Sequence, residues 1–231
     1  MYDVVYFTKC FGDSNEELRY SIRSICKNLK FRKLVIVGTK PDYIEPDLFI
    51  HYDPVGSKYS NVREAIKYLI SNDFDVTEDF YLFNDDFFVM KPMDRIPYYF
   101  DGTLFEYVGK VIYNFGGFSD YAIKLLQEIR YLKEHNLPVN NYEVHMPILI
   151  NKKLALEVLI DDNVSTFRST YGNRYCRKYS QQSKDCKDIC NFGRRLLSTS
   201  NHGFLKKDIG RYIRSKFNER SKYENDYDNN N

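Results

Sequence analysis

The order of apolar runs along the chain predicts an α/β fold whose mostly parallel sheet is flanked by helices. Short runs of strand length alternate with longer segments whose apolar residues recur at helical spacing. A β-α-β-α-β alternation of this kind implies parallel strands joined by crossover helices. A further observation is where one run stops: Phe80-Tyr81-Leu82-Phe83 ends on Asn84, Asp85 and Asp86, after which apolar residues resume. Carboxylates are seldom buried without a partner, and ligands of open α/β sheets bind beyond the carboxyl ends of the strands.

Residues 3–7 read as the first strand. Ser14, with Glu17 three positions on, forms a capping-box pattern. The helix that follows places Leu18, Ile22, Ile25, Cys26 and Leu29 on one face. Residues 33–38 form a second strand, and residues 48–52 a third. The next helix spans about residues 61–71, with Val62, Ile66, Leu69 and Ile70 inward, and leads to the strand at 80–83. Tyr107–Asn114 reads as a strand running into Gly116-Gly117, a pair that suits a tight turn or a close approach of backbone to substrate. Ser119 caps a helix to about residue 135, with Ile123, Leu126, Ile129 and Leu132 inward, and a further helix covers 151–159. Residues 167–203 have no clear periodicity, and 204–218 read as a basic amphipathic helix.

A length of 231 residues, with 43% hydrophobic and 29% charged residues, fits a soluble globular domain. Aromatic content is high, with 21 Tyr and 17 Phe but no Trp. The opening Met1–Phe7 carries no basic leader, and no segment approaches the roughly 18 apolar residues of a membrane span. Five Cys without a secretion signal fit reduced thiols, so the expected location is cytoplasmic.

The net charge of +2 conceals an asymmetry: residues 1–167 carry −6, residues 168–222 carry +11 and the remainder −3. The expected organisation is a catalytic domain over 1–167, a basic segment over 168–222 that completes it, and a disordered tail over 223–231.

Asp85 and Asp86 are the candidate ligands of Mg²⁺ or Mn²⁺, because hard cations that carry substrate phosphates take oxygen ligands. Solvated turn residues are the plainer alternative. Arg19 and Arg23, one turn apart near a helix start, can meet phosphoryl oxygens, as can Arg168; an exposed helix face explains the first pair equally. Cys176, Cys186, Cys190 and His202 invite a zinc reading, although only the spacing between Cys186 and Cys190 is short and a shared buried face accounts for that pair.

The run Asn15-Glu16-Glu17-Leu18-Arg19-Tyr20-Ser21-Ile22-Arg23, then Ser60-Asn61 and Ala65-Ile66, then Phe80–Phe88, resembles the second conserved region of the Stealth family of sugar-phosphate transferases. His145-Met146-Pro147 and Phe167-Arg168 are similar to that family's third region. The resemblance spans about residues 3–170 in the family's order. It implies a Rossmann-like (GT-A-like) nucleotide-sugar transferase with His145, Asp86 and Arg168 catalytic. It further implies Arg19, Arg23, Asn61 and Asn84 as substrate-binding residues, with Asp85 and Asp86 on the metal. The expected reaction moves a sugar-1-phosphate, or a glycosyl group, from a nucleotide diphosphate sugar to a hydroxyl acceptor. In it His145 either takes the acceptor proton or donates to a phosphate.

The acceptor implied is polysaccharide. The basic segment also admits modified DNA, as in bacteriophage base glycosylation. A different class stands beside the enzyme: a non-catalytic protein binding nucleic acid or an anionic surface, with Tyr171, Tyr175, Tyr179, Phe192, Phe204 and Tyr212 stacking on bases.

Overall fold

The computed structural model describes residues 1–9, 14–53 and 58–225, and the side chains of all of these except 58–61. In chain order the elements are β1 (Asp3–Thr8), α1 (Glu16–Asn28), β2 (Leu34–Gly38), β3 (Leu48–His51), α2 (Lys58–Ser71), β4 (Asp79–Phe83) and β5 (Phe87–Val89). They continue with β6 (Tyr98–Phe100), α3 (Leu104–Phe115), α4 (Asp120–Glu134), β7 (Ile148–Asn151), α5 (Lys152–Leu159) and α6 (Phe167–Tyr171). A π-helical turn over Gly172–Cys176 and a 3₁₀ turn over Arg177–Tyr179 lead to β8 (Ser180–Gln182), β9 (Leu196–Ser198), α7 (Asn201–Lys206) and α8 (Asp208–Lys216).

The chain forms two interleaved compact units: Met1–Ile96, His145–Leu149 and Cys186–Asn231 make the first, and Pro97–Val144 with Ile150–Asp185 the second. The expected boundary at 167 coincides with neither. Charge is a property of the surface, whereas units follow packing, and the basic segment contributes α6 to the second unit and β9, α7 and α8 to the first.

The first unit holds the α/β sheet that the apolar runs predict, in the order β3-β2-β1-β4-β7. The pairings β1 with β2, β1 with β4, and β2 with β3 are parallel. Val4, Val5, Tyr6, Leu34, Val35, Ile36 and Phe80–Phe83 are buried, as continuous apolar strands covered on both faces must be. On α1, Leu18, Ile22, Ile25 and Leu29 are buried as expected, but Cys26 is exposed. The cap of α1 is Asn15 rather than Ser14, its side chain accepting from the Leu18 N–H at 2.9 Å. On α2, Ile66 and Leu69 face inward with Ala65, while Val62 is exposed.

A second core in this unit gathers Phe88, Met90, Leu197, Phe204, Ile209, Ile213 and Phe217, joining β5 and β9 to α7 and α8. The helix expected over 204–218 is broken at Lys207. Gly210 allows the two pieces to pack closely: a Cβ there would lie 1.8 Å from the Phe204 carbonyl oxygen.

In the second unit, residues 107–114 are helical and not a strand. Thr103 and Glu106 close a capping box, and Gly116 ends α3 with φ of 67°. Leu104, Val108 and Val111 recur at helical spacing on its buried side, so the glycine pair is a helix terminator. Ser119 caps α4 as expected, yet the buried face is Ala122, Leu125, Ile129 and Leu132, and Ile123 and Leu126 are exposed. Buried Glu128 turns this face towards α6: its carboxylate accepts from the N–H groups of Ser165 (3.1 Å) and Thr166 (2.9 Å) and from the Thr170 hydroxyl.

The tail expected to be disordered begins packed. Tyr223 is buried and donates to Asp47 at 2.6 Å, while residues 226–231 lie outside the described residues. Among the described residues no helix is long and apolar enough to cross a membrane.

Candidate functional site

The sheet order reverses direction beside β1: the chain moves outward to β2 and β3, then returns to place β4 on the other side of β1. The carboxyl ends of β1 and β4 therefore flank the switch point of the sheet, where open α/β sheets form the crevice that binds ligands. Asn15, after β1, and Asp85 and Asp86, after β4, meet there. Asn15 caps α1 with its side-chain oxygen and donates its Nδ2 to Asp85 Oδ2 at 2.7 Å. One side chain thus fixes both the helix start and the first carboxylate.

Asp86 is held from the other side by β9. The Phe87 N–H donates to the Asn84 carbonyl at 3.2 Å, so the acidic residues occupy a tight turn between β4 and β5. Strand β5 pairs antiparallel with β9, Phe87 opposite Ser198. That register brings the Ser198 hydroxyl to Asp86 Oδ2 at 3.2 Å and the Thr199 N–H to the Asp86 carbonyl at 3.3 Å. Lys187 places its Nζ 3.5 Å from the same Oδ2. Asp86 Oδ1, by contrast, is buried and has no hydrogen-bond partner among the described residues. Buried carboxylate oxygens are normally satisfied, so this one is an acceptor with its capacity unused.

Burial pushes the Asp86 carboxyl above its usual range; Lys187 opposes the shift, Asp85 adds to it, and His145 and the Ser198 hydroxyl oppose it. Glu17, on the first turn of α1, joins the same field. Its Oε1 accepts from the Thr199 hydroxyl at 2.6 Å. Burial raises its carboxyl to about 7, against that hydrogen bond and with reinforcement from Asp85 and Asp86.

The residues singled out from sequence divide accordingly. Asp85, Asp86 and His145 share this unit, and His145 is close enough for its charge to act on Asp86. His145 is half-buried, and its carbonyl accepts from the Cys186 thiol at 2.9 Å. Asn84 is exposed at the turn. Arg19 lies over the Tyr43 ring at 4.0 Å and pairs with Glu16 at 3.3 Å, while the Tyr43 hydroxyl accepts from the Asn15 N–H at 2.9 Å.

Arg23 is committed elsewhere. Its guanidinium is buried in a bidentate pair with Glu224, at 2.9 and 2.5 Å, and also donates to the Phe217 carbonyl at 3.1 Å. Arg168 stands in the second unit, with Nε 3.3 Å from the Tyr142 carbonyl. The Asn61 side chain lies outside the described residues. Cys186 is buried and Cys190 exposed, and among the described residues no three His, Cys, Asp or Glu side chains gather as a metal-holding group.

Lys187, Ser198 and Thr199 had no signal in the sequence. They reach the acidic turn only through the β5–β9 pairing, more than one hundred positions away, from a segment without periodicity. Glu17 stood in a legible cap pattern with Ser14, and Asn15 in the family-like run, and neither gave a sign that these residues also face carboxylates.

No family model matches the chain, nor does any curated protein. Among solved structures, the chain is similar to the glycosyltransferase GlyE of Streptococcus pneumoniae TIGR4, with a TM-score of 0.47 and 11% sequence identity. The similarity covers 94% of this chain, which spans 60% of the length of that one.

Proposed function

We propose that the crevice beyond β1 and β4 binds a nucleotide diphosphate sugar through a divalent cation, and that the chain is a transferase acting on a hydroxyl acceptor. The observation that carries this reading is the partnerless, buried Asp86 Oδ1 beside Asp85 at the reversal of strand order. Mg²⁺ is commonly held by one or two carboxylates together with substrate phosphates, so Asp85 and Asp86 suffice as its protein ligands without a third acid. Bound there, Mg²⁺ or Mn²⁺ would neutralise charge on the donor phosphates.

The remaining roles fall to side chains around that turn. Asn15 and Ser198 fix the orientation of the two carboxylates. Lys187, already within 3.5 Å of Asp86, presents a cation to a phosphoryl oxygen. His145 takes the acceptor proton as general base, or donates to a phosphate. Arg23 acts through α1 rather than on substrate, since its guanidinium is spent on Glu224. The resemblance to the Stealth family favours sugar-1-phosphate transfer to polysaccharide; plain glycosyl transfer is the neighbouring chemistry at the same site.

Of the aromatic residues that the non-catalytic nucleic-acid reading would stack on bases, Tyr171 and Phe204 are buried, whereas Tyr179 and Phe192 are exposed. Transfer to modified DNA keeps the same crevice and differs only in acceptor.

Thermal unfolding of the purified chain against a panel of nucleotide sugars, with Mn²⁺, Mg²⁺ or EDTA, tests the proposal. A ligand binding only the folded state at about 100 times its Kd adds about 2.7 kcal/mol. A metal-dependent shift with one donor class, lost in a folded Asp86→Ala variant, is the expected result. An active, metal-independent Asp86→Ala variant would sink the proposal.

A further inference from the structure

The carboxyl-terminal end of α1 bears a second concavity in the first unit. A cleft of about 570 Å³ opens between the end of α1, the segment leading to β2 and the segment after α8. It is of the size of small-molecule sites. Along α1, its residues Cys26 and Lys27 stand roughly three turns from Asn15, on the order of 17 Å at 1.5 Å per residue. The crevice that holds Asp85 is thus a separate place on the same unit.

Its walls are strongly cationic. Arg23, Lys27, Lys30, Arg32, Arg220 and Lys222 line it, against the single acid Glu219. Two of these cations are anchored by carboxylates: Arg23 by Glu224, and Arg32 by Asp3 at 2.8 Å and Asp75 at 3.1 Å. Lys30 pairs with Asp94 at 3.2 Å, but both ends are highly exposed, and such pairs are weak.

Lys27 and Lys222 have no carboxylate in ion-pair reach among the described residues. A lysine in the last turn of a helix suits the helix dipole, which accounts for Lys27 alone. It does not account for cations converging from two separate stretches of chain, residues 23–32 and 220–222.

We propose that this cleft is a binding site for a phosphorylated small molecule carrying several negative charges, distinct from the crevice at Asp85 and Asp86. Arg23 and Arg32, whose guanidinium groups are taken up by Glu224 and by Asp3 and Asp75, shape its wall and leave the ligand charge to the other cations. Lys27 and Lys222 close on the phosphates from the rim. A molecule of nucleotide size matches the volume, whereas a polymer would need a continuous basic track.

Calorimetric titration of the full chain with inorganic tripolyphosphate, without added divalent metal, is the test. The Lys27→Gln, Lys222→Gln double variant changes two exposed side chains and should fold normally by its melting curve. It should bind tripolyphosphate about tenfold more weakly or worse, as expected for lost charge-assisted contacts. Asp86→Asn should bind as the unaltered chain does, which separates this site from the proposed catalytic one. Unchanged affinity in the double variant would overturn the proposal, as would loss of binding in Asp86→Asn alone. Binding of heparin with none of tripolyphosphate would also overturn it, pointing to a polyanion surface.

Discussion

Glu17 concentrates the electrostatics of the crevice in one titration. Its carboxyl rises from 4.5 to about 7 in the folded chain, first because it is buried and then because Asp85 and Asp86 repel its charge. The folded state therefore holds this proton more tightly than the unfolded one. Below about pH 4.5 the group is protonated in both states and contributes nothing to pH dependence. As pH rises from there through about 7, the unfolded chain ionises first and stability falls. The total loss is on the order of 3 kcal/mol for a shift of that size. Asp86, also raised by burial, acts in the same direction. In chelator, denaturant titrations across this window should show the decline, and Glu17→Gln should flatten part of it. An equally steep decline in Glu17→Gln would assign the titration elsewhere. On the proposed reading, Asp86→Ala should remove nucleotide-sugar turnover while leaving the near-ultraviolet spectrum of the fold, because it deletes a carboxylate at a turn and leaves the aromatic core around β4 and β5 intact.

At the scale of elements, α1 links the two ends of the first unit. Its start is fixed by Asn15 on Asp85, its middle by Arg23 on Glu224 and by the Ser24 hydroxyl, which accepts from the Val89 N–H at 3.0 Å, and its end by Asn28, which donates to the Val89 carbonyl at 2.7 Å. Removing one member of a buried ion pair leaves the other uncompensated, so Arg23→Ala should destabilise by about 3 kcal/mol. Arg19→Ala, which loses a partly exposed pair and a ring contact, should cost much less. Urea midpoints of the two variants decide this. Gly210→Ala should also be strongly destabilising, since the new methyl would meet backbone rather than a movable side chain.

The buried strands announced themselves as apolar runs, and Asp85 and Asp86 stood out because they interrupt one. The helix over 104–115 did not, because Tyr107, Val108, Val111, Ile112 and Tyr113 favour strands locally while the cap at Thr103 and the left-handed Gly116 override that preference. Lys187 and Ser198 were hidden because non-local pairing, not periodicity, puts them beside Asp86.

For the whole molecule, interleaving matters more than composition. The first unit needs β9, α7 and α8 to complete the core around Phe88, and needs Glu224 to hold Arg23. A chain ending at residue 185 should therefore fail to unfold cooperatively in calorimetry, even though β1 to β4 remain. A sharp transition in that fragment would show that the parallel sheet stands without its carboxyl-terminal cover. The order of the segments also has a consequence during synthesis. Every residue of the second unit leaves the ribosome before Cys186, while the first unit still lacks the strand that pairs with β5. The unit that starts first is finished last. Until β9 emerges, the nascent chain must carry Phe87, Phe88 and Val89 unpaired, and that interval is when a holdase chaperone would find its binding segment.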